Sequence, residues 1–247
     1  MEIHQGGNGA LLGGVPGVAP GKVLVLGGGV VGSSAIRVAL GMGAEVTVLD
    51  RSVSRLGELD EQYRGQLRTV YSTAEAVEEH ASEADLIIGA VLIPGASAPK
   101  LITAEMLTDI KTGTVMVDVA IDQGGCFETS RATTHADPTY VVNGVVHYCV
   151  ANMPGAAART ATMALTNATL PYIMRLANEN VSSLFAGDKH FAAGLNVADG
   201  RLVHPAVAEA LSDVAVPPNS NTRLFGRSAA QAENEHRSEA TAYANIA

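Results

Sequence analysis

A glycine-rich turn between two apolar segments is the feature that most constrains the fold of this chain. Residues 22–26 (KVLVL) form a short apolar run typical of a buried parallel strand. Gly27, Gly29 and Gly32 follow in the spacing G-x-G-x-x-G. A helical pattern comes next, and a second apolar segment then ends at Asp50. This order predicts the first βαβ unit of a dinucleotide-binding fold.

Each residue of the turn has a physical role in this interpretation. Gly27 permits the tight turn, Gly29 lets the backbone approach a pyrophosphate, and Gly32 lets the helix pack closely against the strand. Val30 and Val31 begin the helix, whose free N–H groups and dipole favour phosphate. The alternative is a tight βα turn without a ligand, which a glycine motif on its own does not exclude.

Asp50 bears on which dinucleotide is bound. A carboxylate at this position accepts hydrogen bonds from a ribose diol and repels a 2′-phosphate, so we expect NAD rather than NADP. Arg51 follows directly and could accept that phosphate, although we prefer to interpret it as a solvated loop residue.

The composition narrows the class of protein. Hydrophobic residues make up 47% of the 247, which is enough for a substantial core. A net charge of −9 disfavours nucleic acid as a partner. No apolar segment approaches the ~18 residues of a membrane span, so we expect no membrane association. Two cysteines without C-x-x-C spacing and scattered histidines predict neither disulfides nor a metal site, and they suit a reducing cytoplasm.

Alternating apolar strands and helical segments indicate the overall architecture. Their lengths and order predict an α/β fold with a doubly wound parallel sheet. We divide the chain into a connecting segment (1–21), a nucleotide-binding domain (22–155), a helical part (156–216) and a polar, mobile tail (217–247).

Two of the predicted helices carry specific expectations. Residues 156–178 are expected to form one long alanine-rich helix that Pro171 kinks or splits. Its small side chains permit close approach to the sheet domain or to another subunit. A shorter helix is predicted over 103–110, with Thr103 as its N-cap.

Three loops are expected at the carboxyl ends of strands, where a doubly wound sheet binds its ligand. In the loop after the fifth strand, Asp122 is either a catalytic carboxylate or a turn-capping residue beside two glycines. Asp118, at the end of that strand, is interpreted as structural, and Cys126 as an inert thiol. In the last loop, Asn152 either hydrogen-bonds a cofactor carboxamide or caps the following helix.

Six longer segments give a resemblance to a known family. They are GALLGGVPGV, VLGGGVVG, GAVLIPGASAPKLIT, VDVAIDQGGCFETSRATTH, YCVANMPGA and ALTNATLPYI, in this order. Together they resemble the carboxyl-terminal two-thirds of an alanine dehydrogenase, over residues from about 6 to about 211. The related transhydrogenase α subunit shares IPG-x-x-APKLIT, but it usually has an AEAGGN-like sequence where this chain has AIDQGGC. Alanine dehydrogenase is therefore the closer match.

The resemblance implies a role in NAD binding for each matching position. It places the pyrophosphate at the glycine loop with Val30 and the adenosine ribose at Asp50, with Arg55 nearby. Ser72 would lie near the adenine, and Arg131 fits a further cofactor contact. The residues expected around the nicotinamide half are Val91, Leu92, Val119, Ala120, Ile121, Asp122, Val150, Ala151, Asn152 and Met153.

The resemblance also implies a reaction, the NAD-dependent oxidative deamination of L-alanine to pyruvate and ammonia. Asp122 matches the family's catalytic aspartate and would stabilise the cationic imine. The family's substrate-binding Arg and Lys and its catalytic His belong to an N-terminal segment that we do not find in these residues. The helices after residue 156 would complete the substrate domain, which the nucleotide-binding domain interrupts, and the resemblance ends near Ser212.

Three functions are open on this evidence. The first is an alanine dehydrogenase whose catalysis needs the N-terminal segment. The second is a non-catalytic NAD-binding module, and the third is a hydride carrier like the transhydrogenase. Because the family is oligomeric, we also expect a homo-oligomer.

Overall fold

The computed structural model describes residues 1–91, 99–198 and 200–211, together with the pairs 223–224 and 227–228. The predicted contact of Leu92 lies outside these residues, as does the tail over 217–247 apart from the two pairs. The chain separates into two compact units, of which the second begins at Ala157.

A seven-stranded sheet forms the centre of the first unit. Its strands are β1 (Lys22–Leu26), β2 (Glu45–Asp50), β3 (Leu67–Tyr71), β4 (Leu86–Gly89), β5 (Val115–Asp118), β6 (Thr139–Val142) and β7 (Val145–Tyr148). Their order is β3-β2-β1-β4-β5-β7-β6. All neighbours are parallel except β6, which pairs antiparallel with β7. The predicted α/β fold is confirmed, and its parallel sheet is corrected at this edge.

The antiparallel edge has a local cause in the sequence Asn143-Gly144. Both residues have positive φ, 49° and 77°, which is the backbone that a two-residue hairpin turn requires. The chain therefore reverses directly from β6 into β7 and needs no crossover helix.

Three helices cover the two faces of the sheet: α1 (Val30–Gly41), α2 (Val53–Tyr63) and α3 (Ala74–Glu83). Ile36 of α1 and Leu59 of α2 cluster with Val25 of β1, whereas Val77 of α3 clusters with Leu24 of β1. Strand β1 is thus buried on both faces, which explains its unbroken apolar sequence.

The helix predicted over 103–110 is wrong. Only one 3-10 turn forms, at Met106–Thr108. The Thr103 hydroxyl accepts the N–H of Met106 as expected of a cap. Leu107 within this turn and Ile110 two residues after it are both buried, so apolar residues at helical spacing are present here without a full helix.

The second unit contains four helices among its described residues. They are α4 (Ala158–Asn178), α5 (Val181–Gly187), α6 (Lys189–Ala193) and α7 (Pro205–Ala210). Helix α4 forms as predicted and runs through Pro171 without being split. Asn167, whose carbonyl loses its donor at this proline, is exposed, so water can take the donor's place. None of the helices in the described ranges is long and apolar enough to cross a membrane.

Two short strand pairs complete the second unit. Strands β8 (Val197–Ala198) and β9 (Arg201–Leu202) pair antiparallel, with Val197 opposite Leu202. Strands β10 (Arg223–Leu224) and β11 (Arg227–Ser228) form a second antiparallel pair.

Candidate cofactor and active site

The glycine turn lies between β1 and α1, at the carboxyl end of the parallel strands. Gly27 has a φ of 96°, and a Cβ on it would lie 2.9 Å from the side chain of Val91. A Cβ on Gly32 would lie 1.8 Å from the carbonyl oxygen of Gly27, a separation that no side chain tolerates. The tight turn and the close helix packing are therefore present as predicted.

Gly29 differs from these two glycines because no atom of the described residues lies within 4 Å of its Cβ position. It is the N-cap of α1, and its own φ of −65° is one that any residue adopts. No side chain in the described part of the protein caps this end of α1, and its first turn carries no acidic residue. Open space next to unpaired helical N–H groups is the arrangement that fits a pyrophosphate.

The peptide of Gly28 is held from both sides by Asp50 and Arg55. Asp50 Oδ2 accepts the Gly28 N–H at 2.7 Å, and Oδ1 accepts the Ser52 N–H at 2.8 Å. Arg55 Nε donates to the Gly28 carbonyl at 2.8 Å, and its guanidinium also donates to the Ser33 hydroxyl at 2.7 Å. Each oxygen of the Asp50 carboxylate keeps a further lone pair, as a ribose diol requires.

Ser72 lies at the same edge of the sheet as Asp50. Its N–H donates to the backbone carbonyl of Asp50 at 3.0 Å, directly after β3. Arg51 is exposed, which agrees with its interpretation as a solvated residue.

The loop after β5 carries Asp122 on a 3-10 turn over Ile121–Gln123. The turn ends at Gly124, which has a φ of 88°. Asp122 is exposed, whereas the side chains of Ala120 and Ile121 are buried. A cofactor beside this turn would therefore meet Ala120 and Ile121 through their backbone.

Asp118 lies beneath this loop, completely buried. Its carboxylate accepts the N–H groups of Ala120 (3.1 Å), Cys126 (2.9 Å) and Phe127 (3.3 Å), and the hydroxyl of Ser130. Burial, reinforced by the Asp118 carboxylate, raises the pKa of the Cys126 thiol far above its usual value. The structural role of Asp118 is confirmed, and the inert character of Cys126 stays a prediction that its complete burial supports.

The segment after β4 is adjacent to the glycine turn, and the loop after β5 is bonded to the end of β4. Val91 contacts Gly27, and the N–H of Val119 donates to the Gly89 carbonyl at 2.9 Å. Both Val91 and Val119 are half-buried.

Asn152 leads the last loop in a left-handed conformation, with a φ of 55°. Its carbonyl oxygen accepts from His135 Nε2 at 3.1 Å and from the Gly155 N–H at 2.9 Å. Its side-chain amide makes no hydrogen bond within the described residues, so the structure does not support the capping alternative. Val150 is fully buried, whereas Ala151 is exposed and Met153 half-buried.

Arg131 is held by a stacked pair of rings. Its guanidinium carbon lies 3.9 Å from the ring centroid of Tyr140, whose hydroxyl accepts the Arg131 N–H at 2.8 Å. The ring of His147 stacks on Tyr140 at 4.9 Å. His147 Nδ1 donates to the Val145 carbonyl, so Nε2 accepts from the Thr129 hydroxyl at 2.8 Å. Burial lowers the pKa of His147, which favours this neutral form.

Sequence reasoning missed two residues next to the Asp122 turn. Lys100 Nζ donates to backbone carbonyls on the far side of the loop, including Gly125 at 2.7 Å. Gln123 has a buried side-chain oxygen that finds no hydrogen-bond partner among the described residues. The only signal for either in the sequence is its place in a segment of the family resemblance, which does not reveal a contact.

Comparison with known proteins decides the family. The model of the family "Alanine dehydrogenase/PNT, C-terminal domain" matches residues 1–205. The chain belongs to this family. It therefore contains an alanine dehydrogenase-like NAD-binding domain, as the sequence resemblance implied.

Individual relatives agree with this assignment. Alanine dehydrogenase of Halomonas elongata is 68% identical over 210 residues, which are 85% of this chain and 57% of that protein. The enzyme of Mycolicibacterium smegmatis is 52% identical over 206 residues, 83% of this chain and 56% of that protein. The chain thus spans little more than half the length of these relatives.

Solved structures give the same result. A structure of L-alanine dehydrogenase superposes with a TM-score of 0.80 at 52% identity, covering 87% of this chain and 59% of that one. A transhydrogenase from Sinorhizobium meliloti superposes with a TM-score of 0.61 at 30% identity, covering 76% and 51%. The prediction that alanine dehydrogenase is the closer match is confirmed.

Proposed function

We propose that this chain is the NAD-binding part of an NAD-dependent L-alanine dehydrogenase, which converts alanine to pyruvate and ammonia. The observation that carries the proposal is the placement of Asp122. An exposed carboxylate stands on a turn after β5, Val119 at the start of that loop is bonded to the end of β4, and Val91 directly after β4 contacts the glycine turn. This arrangement supports a dinucleotide site and a catalytic acid at the same edge of the sheet.

The residues present fit NAD as the cofactor. The open space at Gly29 and the free N-terminus of α1 suit its pyrophosphate, and Asp50 suits the hydroxyls of its adenosine ribose. Bound NAD would supply the hydride acceptor. Ser72, Arg55 and the nicotinamide-half residues remain proposed contacts, with Arg131 fixed by Tyr140 near the exit of the Asp122 loop.

Asp122 is proposed to act by charge. Its exposed carboxylate would stabilise the positive charge that develops on the substrate nitrogen and carbon as the imine forms. His147 is buried with both ring nitrogens engaged, so it is not a candidate for proton transfer. We place the groups that hold the substrate and transfer its proton in the N-terminal part of the family fold, which these residues do not span.

Residues 22–155 are proposed as the NAD-binding domain and 156–216 as part of the substrate domain. Helix α4 has no buried residue and exposes apolar side chains, including Met163, Leu165 and Ile173. An apolar helix of this kind supports association with another subunit or with the N-terminal part of the fold. A cytoplasmic location is proposed because both cysteines are free and buried.

The non-catalytic NAD-binding module is the second candidate, because it requires only the glycine turn and Asp50, which are held together by the bond from the Gly28 N–H to the Asp50 carboxylate. Kinetics of Asp122→Asn distinguish the two candidate functions. The variant is made in this chain fused to the N-terminal segment of the Halomonas elongata relative. The proposal predicts a kcat about 100-fold lower or more, with nearly unchanged affinity for NAD. An unchanged kcat would mean that Asp122 does not take part in the reaction.

A further inference from the structure

Lys100 binds the back of the loop that carries Asp122. Its Nζ donates to the carbonyl oxygens of Gly124 at 2.5 Å, Gly125 at 2.7 Å and Phe127 at 3.3 Å. An ammonium group has three N–H donors, so these acceptors use all of them. Among the described residues its hydrogen-bond partners are all backbone carbonyls rather than carboxylates.

Asp118 binds the same loop as an acceptor of backbone N–H groups, whereas Lys100 donates to backbone carbonyls. It accepts the N–H groups of Ala120, Cys126 and Phe127 from its buried position. Both residues bind the backbone of Phe127: its N–H donates to Asp118, and its carbonyl accepts from Lys100. Moving the loop would leave the buried Asp118 carboxylate without its backbone donors, whereas the exposed Lys100 ammonium would exchange the loop carbonyls for water.

Gly125 makes this double attachment sterically possible. It has a φ of 74°, and a Cβ on it would lie only 2.6 Å from Asp118 Oδ2. A side chain at this position would therefore push the loop away from the carboxylate that holds it.

We propose that Lys100 and Asp118 are positioning residues for Asp122. In the described part of the chain the Asp122 carboxylate makes no hydrogen bond of its own. Its location is therefore set by the backbone on either side, which Asp118 holds at Ala120 and Lys100 holds at Gly124. The inference rests on the proposed function, because it takes Asp122 to be the carboxylate that faces the substrate.

The variant Lys100→Met tests this inference in this chain fused to the N-terminal segment of the Halomonas elongata relative. Misplacing a reacting group by about 1 Å costs on the order of 100-fold, so we expect kcat to fall about 10- to 100-fold. The calorimetric affinity for NAD should change much less than kcat, because the proposed pyrophosphate and adenosine-ribose contacts at the glycine turn and Asp50 lie outside this loop. Lys111→Met is the matched control, because Lys111 Nζ also donates to a backbone carbonyl, that of Glu83 at 2.6 Å. It should leave kcat unchanged.

Combining Lys100→Met with Asp122→Asn separates positioning from general damage. If Lys100 acts through Asp122, the substitution has little further effect once Asp122 has lost its charge. If it merely weakens the fold, kcat falls by the same factor in both backgrounds, and the inference is overturned.

Hydrogen exchange gives a readout that does not depend on activity. In the 247-residue chain, Lys100→Met and Asp118→Asn should speed amide exchange over 120–127 and leave 22–50 unchanged. Unchanged exchange and kcat in Lys100→Met, alongside a kcat lowered by Asp122→Asn, would refute the positioning role and leave the proposed function standing. A kcat insensitive to Asp122→Asn would refute the proposed function itself.

Discussion

Substituting Gly29 with alanine should weaken NAD binding without weakening the fold. Among the residues that the structure describes, nothing lies within 4 Å of the Cβ position at Gly29, and its backbone conformation suits any residue. The methyl group would fill the space that we assign to the pyrophosphate. Losing one charge-assisted hydrogen bond costs about 1.5–3 kcal/mol, so the Kd for NAD should rise about 10- to 150-fold. Isothermal titration calorimetry measures the Kd, and a thermal melt followed by circular dichroism measures the fold.

Two matched glycines complete this experiment. Gly57 lies within α2 with nothing near its Cβ position, so Gly57→Ala should stabilise the protein by about 0.5–1 kcal/mol and leave the Kd unchanged. Gly32→Ala should destabilise the fold, because its Cβ would lie 1.8 Å from the Gly27 carbonyl. Wild-type affinity in Gly29→Ala would show that the pyrophosphate is not bound at this turn.

Three further predictions address the ribose site, pH dependence and association. Asp50→Ala should weaken NAD binding by on the order of 1–3 kcal/mol, and equal calorimetric affinities of the unaltered chain for NAD and NADP would contradict the assigned role. Burial lowers the pKa of His147, so the unfolded chain binds its proton first. Stability measured by urea unfolding should therefore fall as pH drops below the unfolded value of about 6.5, less steeply in His147→Gln. Helix α4 should mediate association, and sedimentation showing a strict monomer at high concentration would count against this.

The sequence predicted most of the sheet for a simple physical reason. A buried parallel strand such as Lys22–Leu26 must be apolar on both faces, which leaves a short unbroken apolar run. The antiparallel edge was missed although the sequence carries its signal, because Asn143-Gly144 between two short apolar segments is typical of a two-residue hairpin turn. The helix over 103–110 failed because a 3-10 turn at Met106–Thr108 forms instead, and the burial of Leu107 and Ile110 does not distinguish such a turn from a longer helix.

The site was less accessible from sequence than the fold. Asp50 and Asp122 could be placed because strand ends of a doubly wound sheet meet at one edge. Arg55 could not be recognised as a support of the glycine turn, since its bond to Gly28 joins residues 27 apart in the chain. Lys100 is a similar case, because its partners are backbone carbonyls 24 to 27 residues away. Every residue has a backbone carbonyl, so residue types do not indicate which ones a lysine binds.

Alanine-dependent formation of NADH tests the central claim most directly. The assay compares the 247-residue chain alone with the same chain fused to the N-terminal segment of the Halomonas elongata relative. Orienting the substrate supplies up to ~7–11 kcal/mol of a barrier and general base catalysis roughly 10²–10⁴-fold, and we assign both to that segment. The chain alone should bind NAD but show no measurable turnover, and the fusion should be active. Robust turnover by the chain alone would contradict this account, because its own residues would then hold the substrate and take its proton.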